Sequence, residues 1–417
     1  MRTLTFPQES PVPSIWDRHS DARRRSCMLL VTHSCNLNCS YCYESHKDDQ
    51  MMSQATARGI VQKELEMIRG NPDFDELLVD FMGGEPLLNF PLIKGIVEWL
   101  EKEYPSAPWL CYATTNATLL SQERQEWFRR HRTSIVLGGS YDGSPEMQKT
   151  NRGEAAGAAD LKFIHSCWPY QPFRMTIAKE SLPHLADELI EMQRKGYLFE
   201  AALAQGVDWT MSDAKLYLEQ LRMLKNAYLA DESLQPINIM TKPLSFIEKS
   251  TPELPQTKFC GTGTNMVTYD VDGTAYGCHM FTPIVLGRDH ALRLNAIDWK
   301  NAKIAEDEHC RKCILKCWCP TCMGFNYRYR GNVAARDRRW CHMILAEALA
   351  VCEFQVEYLA DKHKIWQKRD GQYALYALEA YEVLKNHCLE KSAAPFKICP
   401  DHRKKGGETN GNQGEEN

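Results

Sequence analysis

At 417 residues the chain is long enough for a full catalytic domain with a smaller one beside it. Hydrophobic residues make up 43% and charged ones 25%, and a formal net charge of −4 gives no pull toward nucleic acid or an anionic membrane surface. No apolar run approaches the roughly 20 residues that span a bilayer and the N-terminus lacks a signal-peptide core, so the chain is expected in the cytoplasm, without nucleic-acid or membrane partners.

From residue 26 to 206 short apolar runs alternate with amphipathic segments. The runs 26–32, 77–82, 109–115, 134–140, 173–178 and 199–205 read as strands, and 54–69, 92–103 and 183–195 carry apolar residues at helical spacing. This alternation predicts an α/β fold with a parallel sheet, and six strands suit a partial (β/α)6 barrel better than a closed eight-stranded one. Chemistry in such barrels gathers at the carboxyl ends of the strands. The loop 35–42, residues 83–86 and Asn116 each follow directly after one. A helical linker over 212–231 leads into 255–345, which is turn-rich, cysteine-dense and too poor in apolar periodicity to fold without a metal staple. The expected domains are an N-terminal extension 1–25, a barrel 26–230, a cysteine-rich domain 231–345, C-terminal helices 346–403 and a disordered polar tail 404–417.

Seventeen cysteines are too many for an ordinary chain of this size. In a large intracellular protein such density points to metal ligation rather than disulfides. Cys27, Cys111 and Cys167 lie in or near apolar stretches and read as small core residues. Cys35, Cys39 and Cys42 give C-x3-C-x2-C, a spacing that chance would produce about 0.03 times at this cysteine frequency. Three thiolates so spaced can hold three corners of a 4Fe–4S cluster and leave the fourth iron open. S-adenosylmethionine can chelate that iron through its amino and carboxylate groups, which readies its sulfonium for one-electron cleavage. A zinc site is the competing reading.

On these residues the chain resembles the radical S-adenosylmethionine superfamily. Tyr41 stands where relatives pack an aromatic ring near the adenine. Gly83, Gly84, Glu85 and Pro86 match the family's GGEP motif, which contacts the methionine amino group. Independently, paired glycines admit close backbone approach and Glu85 would set negative charge beside an ammonium, although taken alone the four residues would also make a plain turn. Thr115 and Asn116 resemble the family's T-N-G, with Ala117 in place of the glycine. Ser140, Asp142 and Gly143 resemble its S-x-D-G, and Arg152 a downstream arginine. In relatives the serine and arginine hold the methionine carboxylate. The plainer alternatives are a turn at Asp142 and a solvated charge at Arg152.

Cys260, Cys278, Cys310, Cys313, Cys319, Cys322 and Cys341, with Gly273, resemble the SPASM domain of the same superfamily. Two residues rather than three precede Cys322, which makes Cys317 a candidate substitute. The resemblance implies two auxiliary 4Fe–4S clusters, three in all. Cys310, Cys313, Cys319 and Cys341 would hold the outer one, and Cys260, Cys278 and Cys322 the inner one. Sulfatase-maturing relatives carry a further cysteine just before the position of Cys260, and this chain has none there. Unless Cys317 or another group fills in, one inner iron is then open to a substrate thiolate or amide, or to water. On the segment alone zinc competes evenly, with His279, His309 and His342 beside the cysteines.

The resemblance implies a peptide maturase. A 5′-deoxyadenosyl radical would abstract a side-chain hydrogen from a ribosomally made precursor and lead to a thioether, C–C or C–O cross-link. An auxiliary cluster would accept the leftover electron, and a donor such as flavodoxin or ferredoxin would supply the first. His279 replaces the basic Asp of sulfatase-maturing members; it can take a proton near neutral pH or donate to cluster sulfur. Formylglycine generation and a non-catalytic zinc-stapled binding protein are the alternatives. Only 34 residues precede Cys35, fewer than the about 80 of a leader-binding domain. A separate leader-recognition protein, a sheet edge or the C-terminal helices would then hold the peptide. The basic stretch 311–339 reads as a solvated face or a site for an acidic leader.

Overall fold

The computed structural model describes residues 23–244, 260–301, 304, 306–311, 313–360 and 368–389. The expected disordered tail and nearly all of the N-terminal extension lie outside the described residues. Eight strands follow in chain order: β1 (Arg24–Thr32), β2 (Glu76–Gly83), β3 (Trp109–Thr115), β4 (Ile135–Gly139), β5 (Phe173–Ile177), β6 (Phe199–Leu203), β7 (Met266–Tyr269) and β8 (Ala275–Tyr276). Between the first six run α1 (Gln54–Arg69), α2 (Phe90–Glu103), α3 (Gln122–Arg130), α4 (Pro145–Arg152), α5 (Leu161–Cys167) and α6 (Leu185–Arg194). The architecture is α/β with a parallel sheet, and each of the six expected strands is present.

The sheet order is β4-β3-β2-β1-β7-β8, parallel throughout except for the β7–β8 pair. β5 and β6 form a separate parallel pair, joined to the end of β4 by a bridge from Ser140 to Arg174. The cysteine-rich region therefore does more than the sequence suggested: its β7 pairs in register with β1, Ser26 opposite Met266 and Leu29 opposite Tyr269. A run of four residues with two-faced burial is too short to stand out as a strand among turn residues.

Side chains alternate along each strand. Leu77, Val79 and Phe81 of β2 are fully buried and share one core with Ile93, Ile96 and Val97 of α2. Burying each such side chain contributes roughly 1.5–3 kcal/mol. Cys27, Cys111 and Cys167 belong to this core, as expected. Helix starts are set by side-chain caps: Ser53, Ser121, Ser144 and Asp160 each accept an N–H three residues on. Helix α7 (Met211–Ala230) opens on a reciprocal Thr210–Asp213 capping box.

Helix α7 was expected as a linker, but it is a packing surface. Its Tyr217, Leu221 and Leu224 are fully buried. Beyond two short helices, Pro283–Leu286 and Arg288–Leu294, the described chain ends on α8 (Met323–Arg330), α9 (Cys341–Ala360) and α10 (Lys368–Leu389). α9 lies along α7, where Tyr217 Oη donates to Glu347, Arg222 makes two bonds to Glu353 and Lys225 reaches Glu357 at 2.6 Å. Among the described residues no helix is long and apolar enough to cross a membrane.

Candidate functional site

The loop after β1 carries the first cysteine set, and its start is held rigidly. His33, 2% exposed, has Nδ1 3.0 Å from Asp48 and Nε2 2.6 Å from Asp270, just past β7. Burial opposes its charge, but the two carboxylates outweigh that and raise its pKa. The end of β2 passes directly against this loop. The Gly84 N–H donates to the Thr32 carbonyl and the Glu85 N–H to the Ser34 carbonyl. A Cβ on Gly83 would collide with the Thr32 carbonyl oxygen, and one on Gly84 with Ser34 and Cys35. The glycines are therefore required for protein-to-protein approach, whatever they also do for a ligand.

Glu85 is 1% exposed, and burial pushes its carboxyl up. Three donors hold it: the Leu87 N–H at 3.1 Å, Thr115 Oγ1 at 2.7 Å and the Asn116 N–H at 2.7 Å. It ties the end of β2 to the end of β3. Asn116 in turn donates to Asn36 inside the cysteine loop. Ala117 adopts φ 61, the left-handed conformation that suits the glycine of the related motif.

Asp142 is fully buried. It accepts from Tyr41 Oη at 2.5 Å, from Arg152 Nε and Nη2 at 3.0 and 2.8 Å, from Asn151 and from the Thr176 N–H. The Arg152 guanidinium lies 5.6 Å over the Tyr41 ring. Asp142 thus fixes two wall residues from behind rather than facing the cavity itself. Pro86 is likewise buried, at the start of a single 3-10 turn.

These elements close around one cavity of about 320 Å³ at the carboxyl ends of the strands. Cys35, Cys39 and Cys42 form part of its wall together with Tyr41, Gly83, Gly84, Glu85, Asn116, Ser140 and Arg152. Of the residues expected around the first cysteine set, Asp142 and Pro86 stand behind this wall, while His279 and the second cysteine set lie outside it. Desolvation pushes the Cys39 thiol up to about 11 even with Arg152 nearby, so this thiol gives up its proton readily only to a metal. Three cysteine thiols of one short loop, backed by a glycine cradle, fit a 4Fe–4S cluster with one open iron.

Sequence reasoning missed Tyr43, Glu44, Lys47, Thr114, Thr176 and Phe325, all of which line the same cavity. Burial pushes the Glu44 carboxyl up to about 7. Glu44 and Lys47 could have been found as charged residues directly after a ligand loop, whereas Phe325 comes from α8 and only the fold brings it in. The Tyr43 ring lies 5.6 Å from His279 and 5.9 Å from Phe325, and Arg328 donates to its carbonyl. His279 is behind Tyr43, with Nδ1 3.7 Å from Cys278 Sγ, and burial lowers its pKa.

The second cysteine set separates into two neighbourhoods. Cys322 interacts electrostatically with Cys278 and Cys260. Cys310 interacts with Cys313 and Cys319. Cys341 stands at the start of α9, and Cys317 lies in the turn between Cys313 and Cys319. His309 and His342 flank Cys310 and Cys341 in the chain. Arg336, 7% exposed, sits beside Cys310 and Cys319, and its Nε has no hydrogen-bond partner among the described residues.

The family model described as a 4Fe-4S single cluster domain matches residues 23–156. An uncharacterized protein of Methanocaldococcus jannaschii is 32% identical over 166 residues, 38% of this chain and 55% of that protein. The radical SAM cyclopropyl synthase TigE of Paramaledivibacter caminithermalis is 22% identical over 40% of this chain and 38% of its own length. The chain thus spans about half the length or less of these two curated relatives. Fe-coproporphyrin III synthase of Methanosarcina barkeri is 24% identical over 78% of this chain and 90% of that protein. Among solved structures, anSMEcpe with bound AdoMet aligns with TM-score 0.57 at 14% identity over 84% of this chain and 98% of its own. Streptococcus suis SuiB bound to precursor peptide SuiA aligns with TM-score 0.50 at 14% identity, over 76% and 75%.

The cysteine-walled cavity lies within the segment that matches a 4Fe–4S domain, so the fold and the site together point to an iron–sulfur protein. More particularly, the chain resembles radical S-adenosylmethionine enzymes over its barrel, and its C-terminal region resembles their SPASM domain.

Proposed function

We propose that this chain is a peptide maturase that installs a cross-link in a ribosomally made precursor. The cluster on Cys35, Cys39 and Cys42, when loaded, supplies the electron that cleaves S-adenosylmethionine to the 5′-deoxyadenosyl radical. Arg152 and Ser140 hold the methionine carboxylate, Glu85 and the Gly83–Gly84 backbone receive its amino group, and Tyr41 lies along the adenine. The observation that carries the reading is the position of Tyr43. It interacts electrostatically with Cys42 of the first set and with Cys278 and Cys322 of the second, so the two cysteine sets come close to a common side chain. A carbon radical formed in the cavity therefore has an electron acceptor close by. The similar folds of SuiB, bound to its precursor peptide, and of anSMEcpe, bound to a peptide, support this direction.

In this reading Cys310, Cys313, Cys319 and Cys341 hold the outer cluster. Cys260, Cys278 and Cys322 hold the inner one and leave an iron open to substrate. His279 acts as a base or as a donor to cluster sulfur. A flavodoxin- or ferredoxin-type donor and a separate leader-recognition protein complete the system in the cytoplasm. The test is anaerobic reconstitution, which should give roughly twelve irons per chain and 5′-deoxyadenosine on reduction. Co-expression with short peptides encoded beside the gene should then yield a product lighter by two hydrogen atoms. Four irons per chain, or a formylglycine product, would count against the proposal. The long alignment with Fe-coproporphyrin III synthase favours a second reading, an iron-porphyrin-forming enzyme. Release of Fe-coproporphyrin III from a porphyrin precursor, seen in its absorption spectrum, would select that one.

A further inference from the structure

The interior of the barrel is layered beneath the cavity. Met82 of β2, Thr114 of β3, Thr176 of β5 and Ala202 of β6 line the cavity itself. Two residues earlier on each strand, on the same face and about 7 Å deeper, stand Asp80, Tyr112, Arg174 and Glu200. Strand pairing keeps them side by side, Asp80 opposite Tyr112 and Arg174 opposite Glu200. The opposite faces of these strands are apolar, with Val79, Phe81, Cys111, Ala113, Met175 and Ile177 buried. A polar layer at this depth therefore does not belong to the core.

Its members satisfy one another only in part: the Tyr112 hydroxyl interacts with the Arg174 guanidinium. Asp80 is 8% exposed, and its Oδ1 has no hydrogen-bond partner among the described residues. Glu200 Oε2 lies 3.5 Å from Arg174 Nη1, an ion pair without hydrogen-bond geometry. The Tyr112 hydroxyl rests on Gly138, where any Cβ would collide with it, so β4 gives up a side chain to make this room. The Arg174 and Glu200 side chains are 40% and 31% exposed, so the layer is open to solvent. Two carboxylates face one guanidinium, which leaves one surplus negative charge and a buried acceptor without a donor.

We propose that Asp80, Tyr112, Arg174 and Glu200 form a subsite for a cationic, hydrogen-bond-donating group of the substrate, an ammonium or guanidinium on a Lys- or Arg-type side chain. Asp80 Oδ1 accepts from the cation and Glu200 balances its charge. The flexible four-carbon stem of a lysine bridges the one-layer step, so its carbons lie among Met82, Thr114, Thr176 and Ala202, within the cavity where hydrogen is abstracted. The inference rests on that reading of the cavity and adds to it the chemical class of the group that is recognised.

The test uses the full-length protein, anaerobically reconstituted and supplied with S-adenosylmethionine. The probes are the Nα-acetyl amides of lysine, arginine, glutamine and glutamate, with affinities measured by ligand-observed NMR titration. The lysine and arginine probes should bind at least tenfold tighter than the glutamine probe. Asp80→Asn and Glu200→Gln should each remove most of that preference, and either variant suffices should the other fail to fold. Equal affinity across the probes (including none for any), tighter binding of the glutamate probe, or a preference that survives both substitutions overturns the subsite. Release of 5′-deoxyadenosine by the unmodified enzyme reports separately on the cavity, so the two readings fail independently.

Discussion

At the scale of single residues, the site is held by contacts that leave little freedom. Gly84→Ala would drive a Cβ into the Ser34 carbonyl and the Cys35 side chain. We expect iron bound at the first cluster to fall severalfold while far-UV circular dichroism of the barrel is retained. Asp80 makes the opposite prediction. Burial pushes its carboxyl up to about 6, and Arg174 and His279 compensate only in part, while Tyr112 lies beside it on β3. A folded-state pKa above the unfolded one means that the native protein holds the extra proton, so stability falls as pH rises from about 4 to 6. Asp80→Asn should therefore be more stable than the natural protein at pH 7.5 by roughly 1–3 kcal/mol, and the gain should vanish below about pH 4. Urea unfolding at the two pH values measures this. Near the outer cysteines, Arg336 brings a buried positive charge to Cys310 and Cys319. Arg336→Leu should lower the midpoint potential of a cluster held there by on the order of 50 mV, about 1 kcal/mol for one electron, read by potentiometric titration followed by electron paramagnetic resonance.

At the scale of elements, the seam between α7 and α9 separates cheap from costly contacts. The Arg222–Glu353 and Lys225–Glu357 pairs lie at the surface, so Arg222→Ala should cost under about 1 kcal/mol. Tyr217→Phe removes the donor from the buried Glu347 and should cost about 1–3 kcal/mol. Chemical denaturation of both variants checks the order. Elements also show what was legible in the sequence. Strands β1 to β6 could be read because each is an apolar run bounded by turn residues, and the cysteine loop because its spacing encodes a ligand set. β7 could not, since four residues carry no usable period. The polar layer escaped for a related reason. Asp80 and Glu200 interrupt apolar strands two residues below motif positions, and one sequence does not tell an inward-facing carboxylate from an edge one. Asp142 looked like part of a binding motif and acts as a brace, a difference only the hydrogen-bond partners could reveal.

At the scale of the whole molecule, the two cysteine-bearing regions share a single sheet. Their separation is set by the β1–β7 ladder and by Asp270 against His33, not by the segment that connects them in sequence. That arrangement fixes an order of assembly. β1 pairs with β2 across about 50 residues but with β7 across about 240, and pairings so distant in sequence form late. During synthesis the N-terminal loop and its β2 and β3 neighbours emerge first, while one edge of β1 waits uncovered. Chains arrested on the ribosome after residue 244 should already take up iron at Cys35, Cys39 and Cys42, and should aggregate once released, as pull-down and iron assays would show. The unfinished edge makes the nascent protein a client for chaperones at the moment it first becomes able to load a cluster.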